Sequence, residues 1–227
     1  MTEYLNTIIK THLFDNIDKK EIPNILNNFK SQKKLYEKGN IIIDMGDKVE
    51  AIYLILNGKI EISKEYDDTR KNIVNILESG EIFAEAMALS TNKISQITAI
   101  SLSKSEILKI NIKYIFDNNL EKNKNIFIEN LLKIISDKNK FLSMKNDILS
   151  QKSLRSKIIL YLEYMSNMQK SEKINIPYSR DKLAEFISAD RSALSRELNR
   201  LAKEKMIEHV KNKYNIFFIV NSFLWLG

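Results

Sequence analysis

The chain contains no cysteine. Disulfides, thiol catalysis, Cys-ligated zinc and iron–sulfur clusters are therefore excluded. Histidine is nearly absent too. His12 and His209 are the two present, too few for a multi-histidine metal site. No stretch matches G-x-x-x-x-G-K-[ST] or G-x-G-x-x-G, and no His-centred triad is plausible, so an enzyme is not expected. Glu81 and Glu85, four apart in GEIFAEA, read as turn and ligand residues and not as an acid–base pair. The apolar runs are short and broken by Lys, Asn or Asp, so no segment is expected to span a bilayer. The N-terminus, MTEYLNTIIKTHLFD, has early acids and no small-residue cleavage site, so no signal peptide is expected. The missing cysteines fit a cytoplasmic address.

What is present is a chain of 227 residues, 44% hydrophobic and 29% charged, enough for one large domain or two ordinary ones. Its net charge of +7 is unevenly placed. From residue 151 onward, 14 Lys and Arg stand against 8 Asp and Glu, so six of the seven surplus charges lie in the last third. A basic surplus confined to one region points to an anionic partner there; lysines that merely solvate a surface are the alternative.

Three patterns follow one another. Residues 3–30 read as short helices, with Pro23 near a helix start. From 35 to about 110 come short β-branched runs: IIID, AIYLIL, KIEIS, NIVNIL, ITAISLS and SEILKI, with glycines at 39, 46, 58 and 80 among them. Many short strands with turn signals indicate an all-β sandwich or barrel, and Asn57-Gly58 between AIYLIL and KIEIS is the strongest hairpin signal. From about 112 to 149 the pattern is helical. Ile128, Ile135, Leu142 and Leu149 recur every seventh residue, with Leu132, Asn139 and Asn146 at the other seam position. That reads as a coiled-coil dimer helix, against the alternative of a lone amphipathic helix packed on its own domain.

The stretch DRSALSRELNRL, residues 190–201, carries the sharpest chemistry. On a helix, Leu194, Leu198 and Leu201 share a narrow apolar face. Arg191, Ser192, Ser195, Arg196 and Asn199 share another arc, and Glu197 lies outside it, so the arc is expected to hold no carboxylate. Asp190 is a good N-cap. Arginine forks in the first turns of such a helix can donate two bonds to guanine O6 and N7. The preceding SRDKLAEFI is a second short amphipathic helix, and the tight SAD turn makes the pair a helix-turn-helix. The strand-like pair IEHV and YNIFFIV, with Lys211 and Lys213 at its tip, reads as a wing near the phosphates.

Taken together, YEKGNIIIDMGDKVEAIYLILNGKIEIS, ESGEIFAEAMAL and PYSRDKLAEFISADRSALSREL resemble the CRP/FNR family of bacterial transcription regulators over nearly the whole chain. The resemblance implies an α+β protein. Its parts would be a cyclic-nucleotide-binding-like β-roll (jelly roll) over 1–111, a dimerisation helix over 112–149 and a winged helix-turn-helix over 150–227. It implies a homodimer on double-stranded DNA with a near-palindromic site, and leaves RNA polymerase open as a further partner. Arg191, Ser192, Ser195 and Arg196 would read bases, with phosphate contacts from Arg180 and from Lys211 and Lys213. Ile128, Leu132, Ile135, Asn139, Leu142 and Leu149 would form the dimer seam. Many members have Glu where Ser192 stands, so a different operator is expected. Ser188 stands where the turn often has Gly, so a mildly strained turn is expected.

The effector is less legible. By resemblance Glu85 matches the ribose-binding carboxylate, but the Arg-Ser pair that clamps a cyclic phosphate is replaced by Ser95 and Gln96, and the preceding Gly by Ala84. No arginine lies between Arg70 and Arg155. A buried phosphate without a charged partner loses its strongest hydrogen bonds, which argues against cyclic AMP. An iron–sulfur sensor is excluded by the absence of Cys. Haem stays open through His12, as do an unidentified small ligand and no ligand at all. The competing reading of the whole chain is a ligand-sensing protein-interaction module that does not bind DNA.

Overall fold

The computed structural model describes residues 4–9, 11–65, 71–116 and 122–217. The chain divides into two compact units, Met1–Asp137 and Lys138–Gly227.

The first unit opens with α1 (Leu5–Ile9), a 3-10 turn (His12–Phe14) and α2 (Ile22–Asn28), which has Pro23 in its first turn. Eight strands follow: β1 (Gln32–Tyr36), β2 (Ile41–Ile43), β3 (Ala51–Asn57), β4 (Lys59–Glu65), β5 (Lys71–Glu78), β6 (Ile82–Phe83), β7 (Thr98–Ser101) and β8 (Ser105–Asn111). They form two antiparallel four-stranded sheets, ordered β1-β8-β3-β6 and β2-β7-β4-β5. The short helix α3 (Glu85–Ala88) sits between β6 and β7 in sequence. β3 is buried from Ala51 to Leu56 on both faces, which its unbroken apolar run requires.

The Asn57-Gly58 turn is not a hairpin. β3 pairs with β6 and β8, whereas β4 pairs with β5 and β7. The turn is instead a corner at which the chain leaves one sheet for the other. Gly58 has φ +102, and a Cβ there would lie 2.1 Å from Ser105 Oγ and 2.8 Å from Ser105 Cα. Close backbone approach, as much as φ, selects glycine.

The expected continuous helix over 112–149 is divided. α4 (Ile112–Ile115) is a single turn, residues 117–121 lie outside the described residues, and α5 runs Lys122–Ser150. Phe127 of α5 packs edge-on against Phe14 and Phe29, at centroid distances of 5.4 and 4.9 Å. Asn130 donates from its amide to the carbonyls of Leu13 and Asp15. Further along, Met144 and Ile148 enter the core of the second unit. Of the six expected seam residues, Ile128 and Ile135 pack against the core of the first unit, as a helix lying on its own domain would. Leu132 and Leu142 are 59% and 58% exposed, Asn139 is exposed, and Ile128, Ile135 and Leu149 are half-buried.

The second unit contains α6 (Leu154–Gln169), β9 (Lys173–Asn175), α7 (Arg180–Phe186), α8 (Arg191–Lys203), β10 (Ile207–Val210) and β11 (Lys213–Ile216). β11 pairs with both β10 and β9, so the wing is three-stranded. The expected continuation of its last strand, FIV at 218–220, lies outside the described residues.

Candidate nucleic-acid interface

α8 starts where its sequence says it should. Asp190 has extended φ/ψ, and its carboxylate accepts from the Ala193 N–H at 2.9 Å. Leu194, Leu198 and Leu201 are each fully buried. That anchoring leaves Arg191, Ser192, Arg196 and Asn199 exposed and Ser195 half-buried. The arc is thus presented to solvent by the first two turns of the helix, the part that enters a major groove in helix-turn-helix proteins.

The turn between α7 and α8 closes in a Schellman pattern. The Ala189 N–H reaches the Ala184 carbonyl at 2.8 Å, and the Ser188 N–H the Glu185 carbonyl at 3.1 Å. Ser188 has φ +52, the left-handed region that penalises a side chain. Ser188→Gly is expected to raise unfolding free energy by about 0.5–1 kcal/mol, the left-handed penalty less the entropy that glycine adds to the unfolded chain. Urea denaturation checks this, and no gain would mean the turn is unstrained.

The arc does not stand free of carboxylates. Asp181 of α7 lies 3.0 Å from Nε of Arg191. The Ser192 hydroxyl donates to Asp190, and Arg196 Nη1 donates to that same hydroxyl at 3.3 Å. The Ser192 hydroxyl and then the Ala193 N–H hold the Asp190 carboxyl below its usual range.

Arg180, expected at a phosphate, is half-buried against the wing. It donates to the Tyr214 hydroxyl at 2.7 Å, lies over the Tyr214 ring, and sits 3.5 Å from Nδ1 of His209. Burial first, and the Arg180 charge second, lower the His209 pKa, so a neutral imidazole accepting from Arg180 is favoured. Lys211 and Lys213 are both exposed at the β10–β11 end. Behind α8, Arg155 of α6 binds Glu204 and Glu197 and touches the Met206 sulfur. Asp181, Arg155 and the pair His209–Tyr214 were not singled out from sequence.

In the first unit, Glu85 is buried in the first turn of α3. Ala84 before it has φ +67. Ser95 is buried, its hydroxyl donating to the Ile97 carbonyl at 2.7 Å, while Gln96 is exposed. The structure therefore does not turn Ser95 and Gln96 together toward one ligand. His12 is exposed and bonded to Asp15 at 2.9 Å. Among the described residues no group of three or more His, Asp or Glu could hold a metal ion, and no helix is long and apolar enough to cross a membrane.

Residues 33–117 match the cyclic nucleotide-binding domain family, and residues 156–221 match the Crp-like helix-turn-helix domain family. The chain belongs to the CRP/FNR family. It is 24% identical over 196 residues to the cyclic AMP receptor protein of Thermus thermophilus, covering 86% of this chain and 87% of that one. It is 22% identical over 187 residues to the global nitrogen regulator of a Nostoc species, covering 80% and 83%. Its fold is similar to the crystal structure of the Thermus thermophilus catabolite activator protein, with a TM-score of 0.55 and 21% identity over 91% of this chain and 94% of that one. CRP/FNR proteins are transcription regulators and not enzymes, and this member has the family's sensor domain and DNA-binding helix-turn-helix.

The family's domain name raises the fit of a cyclic nucleotide. The residues present argue against cyclic AMP. Glu85 is buried, Ser95 spends its hydroxyl on the Ile97 carbonyl, and no arginine lies between residues 71 and 154. The cyclic phosphate would enter without the guanidinium fork that makes such sites strong.

Proposed function

We propose that the chain is a homodimeric, sequence-specific DNA-binding transcription regulator that docks α8 of each protomer in the major groove of a near-palindromic site. The observation that carries this reading is the exposed Arg191–Ser192–Arg196 edge at the start of α8, held outward by three fully buried leucines. Two-fold symmetry then sets half-sites about one helical turn, roughly 34 Å, apart. The exposed Leu132 and Leu142 of α5 supply the apolar stripe for pairing, with Asn139 in the same seam. The sensor domain takes an unidentified effector other than cyclic AMP or works without one, and an exposed His12 paired with Asp15 does not favour haem. RNA polymerase as a partner and a cytoplasmic address belong to the same reading.

Selection of duplexes from a random-sequence pool, by full-length protein at two salt concentrations, tests it. A palindromic consensus with steep salt dependence is expected. Enrichment of no sequence, with and without cell extract, would sink the proposal. Arg196→Ala is expected to cost about 1–3 kcal/mol and to relax preference at one base pair. Lys211→Ala is expected to weaken all sequences alike and to lower the salt slope by about one.

A further inference from the structure

We infer that both recognition arginines are aimed by carboxylates, Arg191 directly by Asp181 and Arg196 through Ser192 by Asp190, so that Asp181 and Ser192 set base discrimination without touching a base. The inference rests on the DNA-reading proposal and assigns roles within that interface.

The geometry distinguishes the two arms. Asp181 engages Arg191 through Nε, at 3.0 Å. That leaves the two terminal amines, the edge of the guanidinium able to give paired hydrogen bonds to O6 and N7 of one guanine. Both side chains of the pair are about two-thirds exposed, so the contact contributes little to folding. Its effect lies in conformation. An exposed arginine samples many rotamers, and a partner on a neighbouring helix removes most of them before DNA arrives. Asp181 lies in the first turn of α7, which the Schellman turn joins to α8.

Ser192 works differently. Its hydroxyl proton is committed to Asp190, which already accepts the Ala193 N–H as the helix cap. The hydroxyl oxygen then accepts from Arg196 Nη1 one turn later. With its donor occupied and an acceptor site given to Arg196, Ser192 is poorly placed to read a base itself. It is a positioning residue, and this revises its expected role as a base reader.

The carboxylates also carry charge near a polyanion. Removing Asp181 therefore has two effects of opposite sign. It deletes one negative charge from the docking face, which strengthens binding to any duplex. It also frees Arg191, which weakens the preference for one base pair. A merely structural residue would not do both.

The experiment compares full-length wild type, Asp181→Ala, Asp181→Asn, Ser192→Ala, Arg191→Ala and Arg196→Ala. The probes are the duplex selected by wild type, its single-base variants and one random-sequence duplex. Asp181→Ala is expected to bind the random duplex more tightly and to lose roughly threefold to tenfold in discrimination at the base pair that Arg191→Ala also relaxes. Asp181→Asn keeps an oxygen for Nε, so it should bind the random duplex more tightly while retaining most of the discrimination. Ser192→Ala should relax the base pair that Arg196→Ala relaxes. Unchanged discrimination in Asp181→Ala, or uniform weakening on every duplex, overturns the Asp181 assignment. Relaxation by Ser192→Ala at a base pair neither arginine variant affects makes Ser192 a reader and overturns its assignment. A wild type that prefers no duplex overturns the DNA-reading proposal itself and this inference with it.

Discussion

A chain carrying Leu132→Glu and Leu142→Glu is expected to sediment as a monomer and to lose about 10²–10⁴ of its affinity for a palindromic duplex. Both leucines are more than half exposed on α5, whereas Phe127, Leu131, Met144 and Ile148 of the same helix are buried. An apolar side chain of that size gains about 1.5–3 kcal/mol on full burial. A two-fold seam buries each leucine twice, so four carboxylates replacing four leucines remove the drive for pairing and add repulsion. Glu is chosen because it is nearly as good a helix former as Leu, which leaves α5 itself intact. The loss on DNA is one of bivalency. Each protomer still offers its helix to a half-site, but the second contact is no longer intramolecular. Sedimentation velocity with a half-site and a full-site titration checks both parts. A variant that stays dimeric, or that keeps the full-site advantage, would remove α5 from the dimer.

The second large effect is expected at Gly58. Gly58→Ala should destabilise the first unit by roughly 3–5 kcal/mol, from a strained positive φ together with overpacking. The Cβ would stand 2.1 Å from Ser105 Oγ and 2.8 Å from Ser105 Cα, and the second of these is backbone that cannot rotate away. Ser105 is fully buried and bonded to Ser101 at 2.8 Å, so its hydroxyl has little room to retreat either. Gly39, Gly46 and Gly80 make the controls. They also have positive φ, but a Cβ at any of them meets nothing within 4 Å. Their alanine variants should lose only the conformational part, about 1–2 kcal/mol. Equal losses at all four positions in urea denaturation would show that the contact with Ser105 contributes nothing.

That corner also marks the limit of what the sequence could say about the β-roll. AIYLIL and KIEIS were legible as strands because β-branched residues and short apolar runs report burial directly. Their partners were not. Asn-Gly favours positive φ, and a positive φ serves a corner between sheets as well as a hairpin; only contacts with β8, nearly fifty residues on, decide which. β1 was missed for a related reason. QKKLY has one buried-type residue in the wrong place for alternation, and it becomes a strand by pairing from Gln32 opposite Lys109 to Tyr36 opposite Ser105. α8 was legible in full, cap, leucine face and polar arc, because each of those signals is local. Asp181 was not, since ten residues of chain and a left-handed Ser188 bring it to Arg191. Arg180 shows the same limit: its neighbours Tyr214 and His209 lie on strands that follow it by about thirty residues.

The brace at Arg155 divides the recognition helix into unlike halves. The ion pairs that tie α8 and its C-terminal cap to α6, among the described residues, go to Glu197 and Glu204. Arg191, Ser192 and Arg196 lie ahead of that brace, secured by the Asp190 cap, the buried Leu194 and the exposed Arg191–Asp181 pair. Local opening therefore proceeds from the front. Amides in the first turns should exchange with solvent sooner than those between Glu197 and Lys203, because brief fraying at a helix start costs less than parting two helices. On the proposed DNA-reading role, the front of α8 can thus follow the uneven surface of a duplex, while the rear keeps its register on α6.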